Sequence, residues 1–82
     1  MTVEKSFAKV LKSLRMMRKM SQEELAFQSN LDRTYISMLE RGIHQPTIAT
    51  LFALSKALKI KASELIKLVE FDSETDSEEQ QS

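Results

Sequence analysis

Apolar residues recur at helical steps in five stretches of the chain, and the polar residues between those stretches are ones that start and stop helices. Over residues 4–18, Phe7, Val10, Leu11 and Leu14 follow at three- and four-residue steps while Lys5, Lys9 and Lys12 take the other side. No glycine or proline interrupts them, and the spacing predicts an amphipathic helix. Ser21-Gln-Glu-Glu24 has the form of a capping box, in which the Ser21 hydroxyl accepts the Glu24 N–H and the Glu24 carboxylate reaches back to the Ser21 N–H. It predicts a short helix from Gln22 to near Ser29 with Leu25 and Ala26 inward. Asn30 tolerates positive φ better than other non-glycine residues and suits a left-handed turn. Asp32 caps a third helix running through Arg41, with Ile36 and Leu39 as its apolar contacts, and Gly42 sits where a left-handed C-terminal residue belongs. Ile43 to Pro46 read as a loop. Thr47 caps a fourth helix over 48–58, with Ile48, Leu51, Leu54 and Leu58 inward, and Ser63 caps a fifth over 64–71 with Leu65, Leu68 and Val69 available.

From Asp72 to Ser82 the chain has no apolar residue. Such a segment buries nothing to offset its ordering entropy, so 72–82 is expected to be a disordered acidic tail and 1–71 the single folded domain. The whole chain has 82 residues, one glycine, one proline and no cysteine. So few turn residues argue against an all-β fold, and the length admits one domain. The fold class is all-α, with five helices. Without cysteine there is no disulfide, thiolate zinc site or thiol nucleophile, and one histidine makes no His-rich metal site. No apolar run is long enough to span a membrane, and the N-terminus has no signal-peptide core, so the expected setting is soluble and cytoplasmic.

Twelve basic and twelve acidic residues cancel overall, but they are not mixed. All twelve lysines and arginines lie in 1–69 against six acids, a surplus of six, and residues 70–82 carry the other six acids. A basic domain of this size is a candidate for polyanions. The plainer reading is a solvated helical surface.

The informative unit is 22–41. Two helices of about two turns each cannot stand alone and must pack on one another and on their neighbours. Ala26 is small enough to let the third helix cross the second closely. On a helical wheel, Arg33, Thr34, Ser37 and Arg41 gather opposite Ile36 and Leu39, with Met38 at the margin. That outer face has two guanidiniums, two hydroxyls and no acid. Arginine can bind guanine bidentately in the major groove, and threonine offers both a hydroxyl and a methyl. The second helix can aim free N–H groups near Gln22 at a phosphate.

The run Ser21-Gln-Glu-Glu-Leu-Ala-Phe-Gln-Ser-Asn-Leu-Asp-Arg-Thr-Tyr-Ile-Ser-Met-Leu-Glu-Arg-Gly42 resembles the helix-turn-helix of lambda-repressor/Cro-like (XRE) regulators, over about residues 5–70. Gln22, Ala26, Asn30, Ile36, Leu39, Glu40 and Gly42 fall at matching steps, and Leu31-Asp-Arg-Thr-Tyr-Ile-Ser37 also resembles the small controller proteins of restriction–modification systems. The resemblance implies a lambda-repressor-like domain that docks its third helix in the major groove of double-stranded DNA, its second helix crossing the backbone. It implies base contacts from Arg33, Thr34, Ser37 and Met38, the last either on a thymine methyl or only filling space. It implies phosphate contacts from Gln22, Tyr35 and Arg41; Tyr35 reads equally as an aromatic at the core edge. Arg15 and Glu40 match an ion pair between the first and third helices, which would also lend Arg15 to a phosphate. At Lys19 the family usually has glycine, and a left-handed lysine costs about 1 kcal/mol, so the turn between the first two helices is expected to differ or to be strained. His44 stands in a loop often rich in arginine or lysine and reads as an ordinary exposed histidine.

One such domain reads about four or five base pairs, too few for a useful choice among genomic sites. The family solves this with a two-fold dimer on a pseudo-palindromic operator, its reading helices about 34 Å apart. Phe52, Ile66 and Phe71 exceed what the inward stripes need and are the candidate homodimer interface; the plainer reading is that they cap a thin core. The acidic tail reads chiefly as a solubilising end. The competing function is a protein-interaction module on the same scaffold, an antitoxin or anti-repressor, although a toxin-binding tail needs apolar anchors that 72–82 lacks. An enzyme is a poor third: Glu23 and Glu24 are adjacent and do not converge as a catalytic pair, and no residue reads as catalytic. No cofactor, metal or small-molecule ligand is implied.

Overall fold

The computed structural model describes residues 2–81, with side chains from Thr2 to Thr75. Five helices follow in order: α1 Val3–Met17, α2 Gln22–Ser29, α3 Arg33–Glu40, α4 Ile48–Ala57 and α5 Ala62–Gln81. No strand occurs among the described residues. Four helices begin on side-chain caps. Thr2 accepts from the Lys5 N–H, Ser21 from Glu24, Asp32 from Thr34 and Thr47 from Thr50. The Glu24 carboxylate turns along the helix instead of back to Ser21, accepting from Gln28 Nε2 at 3.3 Å.

Every helix sends at least one leucine or isoleucine into a common centre. Leu11, Leu25, Ile36, Leu39, Leu54, Leu58 and Leu65 are fully buried, with Phe7, Leu14 and Val69 around them. Ala26 is buried on α2, which packs on α3 and α4. Each fully buried aliphatic side chain contributes about 1.5–3 kcal/mol, which is what holds two eight-residue helices that would melt alone.

Four turns share one geometry. Lys19, Asn30, Gly42 and Lys59 all have φ between 56° and 76°. In each, the following N–H reaches back five residues to a helix carbonyl: Met20 to Arg15, Leu31 to Ala26, Ile43 to Met38 and Ile60 to Ser55. This is the Schellman ending. The turn at Lys19 therefore keeps the left-handed form and carries its strain, and Lys59 repeats it. Gly42 takes its left-handed φ without strain, and a Cβ there would lie 3.2 Å from Lys5 Cγ on α1.

Three expectations are corrected. Ile48 does not point inward; it is exposed on the first turn of α4, beyond the reach of the core. Ser63 does not cap α5, which already begins at Ala62. Finally, α5 does not stop at Phe71. It runs on past Asp72, which packs back on α1 and pairs with Lys9 at 3.1 Å. From residue 76 the expected tail lies outside the residues whose side chains are described.

Candidate nucleic-acid interface

The α2–α3 unit is held from beneath by Leu25, Ile36 and Leu39, so the opposite side of α3 faces outward. Arg33, Thr34 and Arg41 are exposed there, and Ser37 and Met38 are half-buried. Asp32 is consumed as the cap of this helix, and no acid of α3 stands among the outward side chains, because Glu40 turns inward. Arg41 lies along the helix, its Nε donating to the Ser37 carbonyl at 3.4 Å. Tyr35 is half-buried and packs against the core edge.

Beneath this face, Glu40 gathers three donors from two other helices. Arg15 Nε donates to Oε2 at 2.7 Å and Arg15 Nη2 to Oε1 at 3.0 Å, a bidentate pair. Gln22 Nε2 donates to the same Oε1 at 3.0 Å. Arg15 Nη1 also donates to the Met20 carbonyl at 2.7 Å, clasping the turn between α1 and α2. The Arg15 and Glu40 side chains are only 12% and 3% exposed. The hydrogen bonds to Glu40 raise the Arg15 pKa above its already high value; burial opposes this and the charge attraction adds to it. The guanidinium stays charged. The pair expected between Arg15 and Glu40 is thus present, and Gln22, expected only as a phosphate ligand, joins it. That junction was legible only in part: spacing places Gln22 at the start of α2 but not within reach of Glu40, eighteen residues on.

The three apolar residues expected to form one interface are all exposed but do not lie together. Phe52 and Ile66 line one groove between α4 and α5, floored by Ile60 and Ala62. Phe71 lies five residues beyond Ile66, about 140° around the helix, and lines another groove with Leu68, Val10 and Met17 against α1. Two residues not expected at this interface extend the Phe52–Ile66 surface. Ile48 is exposed one turn before Phe52, and Val3 shares two further grooves with Ile66. The signal was the i, i+4 step from Ile48 to Phe52. His44 is exposed. Among the described residues no His, Asp or Glu cluster could hold a metal ion, and no helix is long and apolar enough to cross a membrane.

Short capped helices joined through Asn30, with a polar outer face on the second of them, define a helix-turn-helix. The helix-turn-helix family matches residues 11–65, two thirds of the chain, and the chain belongs to it. It is similar to the immunity repressor protein of Bacillus phage phi105, 38% identical over 56 residues that cover 68% of this chain and 39% of the repressor. It is also similar to control protein C.BamHI of Bacillus amyloliquefaciens, 45% identical over 47 residues, 57% of this chain and 58% of that protein. The match thus spans less than two thirds of either relative. Among solved structures, the restriction–modification controller protein C.Esp1396I, a tetramer in complex with its natural 35-base-pair operator, is 33% identical with a TM-score of 0.80 over 88% of this chain and 95% of that one. Single-substitution structures of that controller alter an arginine, a threonine and a tyrosine at consecutive positions, the residue types of Arg33-Thr34-Tyr35 here. The class is a helix-turn-helix protein, and the relatives it matches are a phage repressor and restriction–modification controllers.

Proposed function

We propose that this chain is a transcriptional regulator that binds a specific double-stranded DNA sequence as a homodimer, with α3 in the major groove. The observation that carries this reading is the outer face of α3. Arg33 and Thr34 are exposed and Ser37 is half-buried beside them, while Ile36 and Leu39 anchor the helix from behind. Arg33 and Thr34, on the first turn of α3, read base edges, with Ser37 and Met38 farther along the groove. Arg41, Tyr35 and the start of α2 at Gln22 lie against the flanking phosphates, and Arg15 backs them. C.Esp1396I, bound to its operator, supports the same docking here.

Two such domains meet through the α4–α5 surface around Phe52 and Ile66, which sets two reading helices on a pseudo-palindromic operator. The setting is the prokaryotic or phage-infected cytoplasm, at the nucleoid. Selection of bound sequences from a random duplex library tests all of this at once. The expected result is a symmetric pair of half-sites with centres about one helical turn apart. Recovery of unrelated duplexes, with binding that fades uniformly as salt rises, would reduce the protein to a nonspecific polyanion binder.

A further inference from the structure

The geometry points to Gln22 as a specificity-determining residue that acts through Glu40, and this inference rests on the DNA-reading function proposed above. A glutamine side chain has two N–H donors and one carbonyl acceptor. One donor of Gln22 is committed to Glu40 Oε1 at 3.0 Å. The carbonyl oxygen repels a phosphate oxygen, acceptor against acceptor. At most one N–H remains for the DNA backbone, so phosphate binding cannot be the whole role of this side chain.

What the Gln22 amide does hold is the end of the reading helix. Glu40 is the last residue of α3, and its carboxylate is the point where α1, α2 and α3 are tied together by Arg15 and Gln22. Arg15 fixes that carboxylate to α1, and Gln22 is the tie to α2, the helix that crosses the DNA backbone in this docking mode. The position of α2 on the phosphates is thereby passed to the orientation of α3 in the groove.

The lever is long enough to matter. Glu40 and Arg33 are seven residues apart, about 10.5 Å along the axis, so a swing of about 10° at Glu40 moves the Arg33 end by about 2 Å. A bidentate arginine–guanine contact does not survive such a shift, because its hydrogen bonds fail beyond about 3.5 Å. Phosphate contacts through flexible side chains tolerate it. Loss of the Gln22 tie therefore lowers discrimination more than it lowers binding to DNA in general.

The test uses Gln22→Met, which keeps the length of the side chain and removes its donors, and Gln22→Ala as a second variant. Full-length protein is titrated against the duplex recovered by selection and against variants of it altered at single base pairs. Thermal unfolding is followed in parallel. The expected result, well below the unfolding temperature, is that the preference for the selected base pair under Arg33 falls about tenfold, over and above any uniform loss on all duplexes from a missing phosphate contact. A uniform loss on every duplex, with the preference intact, would make Gln22 a phosphate ligand only and overturn the inference. If the wild-type chain itself shows no preference among duplexes, the DNA-reading function fails first and this role of Gln22 goes with it. Loss of preference in the variants alone separates the two cases.

Discussion

The α1–α2–α3 junction and the α4–α5 surface solve opposite problems. At the junction, polar side chains are tied to one another: Arg15 and Glu40, nearly buried, and the half-buried Gln22 meet at 2.7–3.0 Å beneath an outer face that is polar. At the α4–α5 surface, apolar side chains are exposed and have nothing to cover them, Phe52 at 63% and Ile66 at 44%. A buried network orients a helix because hydrogen bonds are directional, whereas hydrophobic burial fixes only how close two elements lie. The first region is built for geometry and the second for adhesion. In the proposed regulator these are the reading of one half-site and the pairing of two.

The largest effect is expected where the junction is broken. Glu40→Ala leaves the Arg15 guanidinium buried without its partner and should destabilise the fold by about 3–5 kcal/mol. Thermal unfolding should fall by about 12 °C or more, at about 4–8 °C per kcal/mol for a domain of this size. A drop of only a few degrees would mean that the core alone holds α3 and that the contrast drawn here is false. At the adhesive surface, Ile66→Glu places a carboxylate in the proposed two-fold contact. It should weaken dimerisation by about 100-fold, roughly 2.7 kcal/mol, in sedimentation equilibrium. Phe71→Glu, in its separate groove, should shift the association constant much less. If Phe71→Glu proved the more damaging, the interface would have to be moved to the α1 side of α5.

Smaller effects sharpen the comparison. Arg33→Ala should cost about 1–3 kcal/mol of binding and relax selectivity at one base pair, with unfolding unchanged within about 0.5 kcal/mol, the usual size for an exposed site. A stability loss well beyond that would place Arg33 in the scaffold and not in the reading face. Smallest of all, Lys19→Gly should stabilise the protein by about 0.5–1 kcal/mol by relieving a left-handed lysine. Gly42→Ala should do the reverse, since its φ is +76° and its Cβ would crowd Lys5. Paired denaturant titrations of the two variants check the signs.

Local rules carried most of the fold. Ser21, Asp32 and Thr47 act as caps, Asn30 and Gly42 close their helices in the left-handed region, and Ile36 and Leu39 point inward, each as spacing and side-chain chemistry require. The outward face of Arg33, Thr34 and Ser37 was legible for the same reason: a helix with two apolar contacts on one side has an opposite side. Lys19 was legible only as a departure, because nothing local says that a lysine will accept φ +56° when the surrounding turn leaves no alternative.

The amino-acid order thus determined the presence of the five helices, the ends of α2 and α3 and the polar face of α3, all of which depend on residues within a turn or two of one another. Tertiary structure alone decided what depends on distance through space. It brought Gln22 to Glu40 across eighteen residues and Lys9 to Asp72, it carried α5 beyond Phe71, and it set Phe71 in a groove against α1 and Phe52 and Ile66 in one between α4 and α5. Periodicity tells which side of a helix is apolar, but only packing tells which neighbour that side meets, and where the core ends and leaves an apolar residue such as Ile48 outside it.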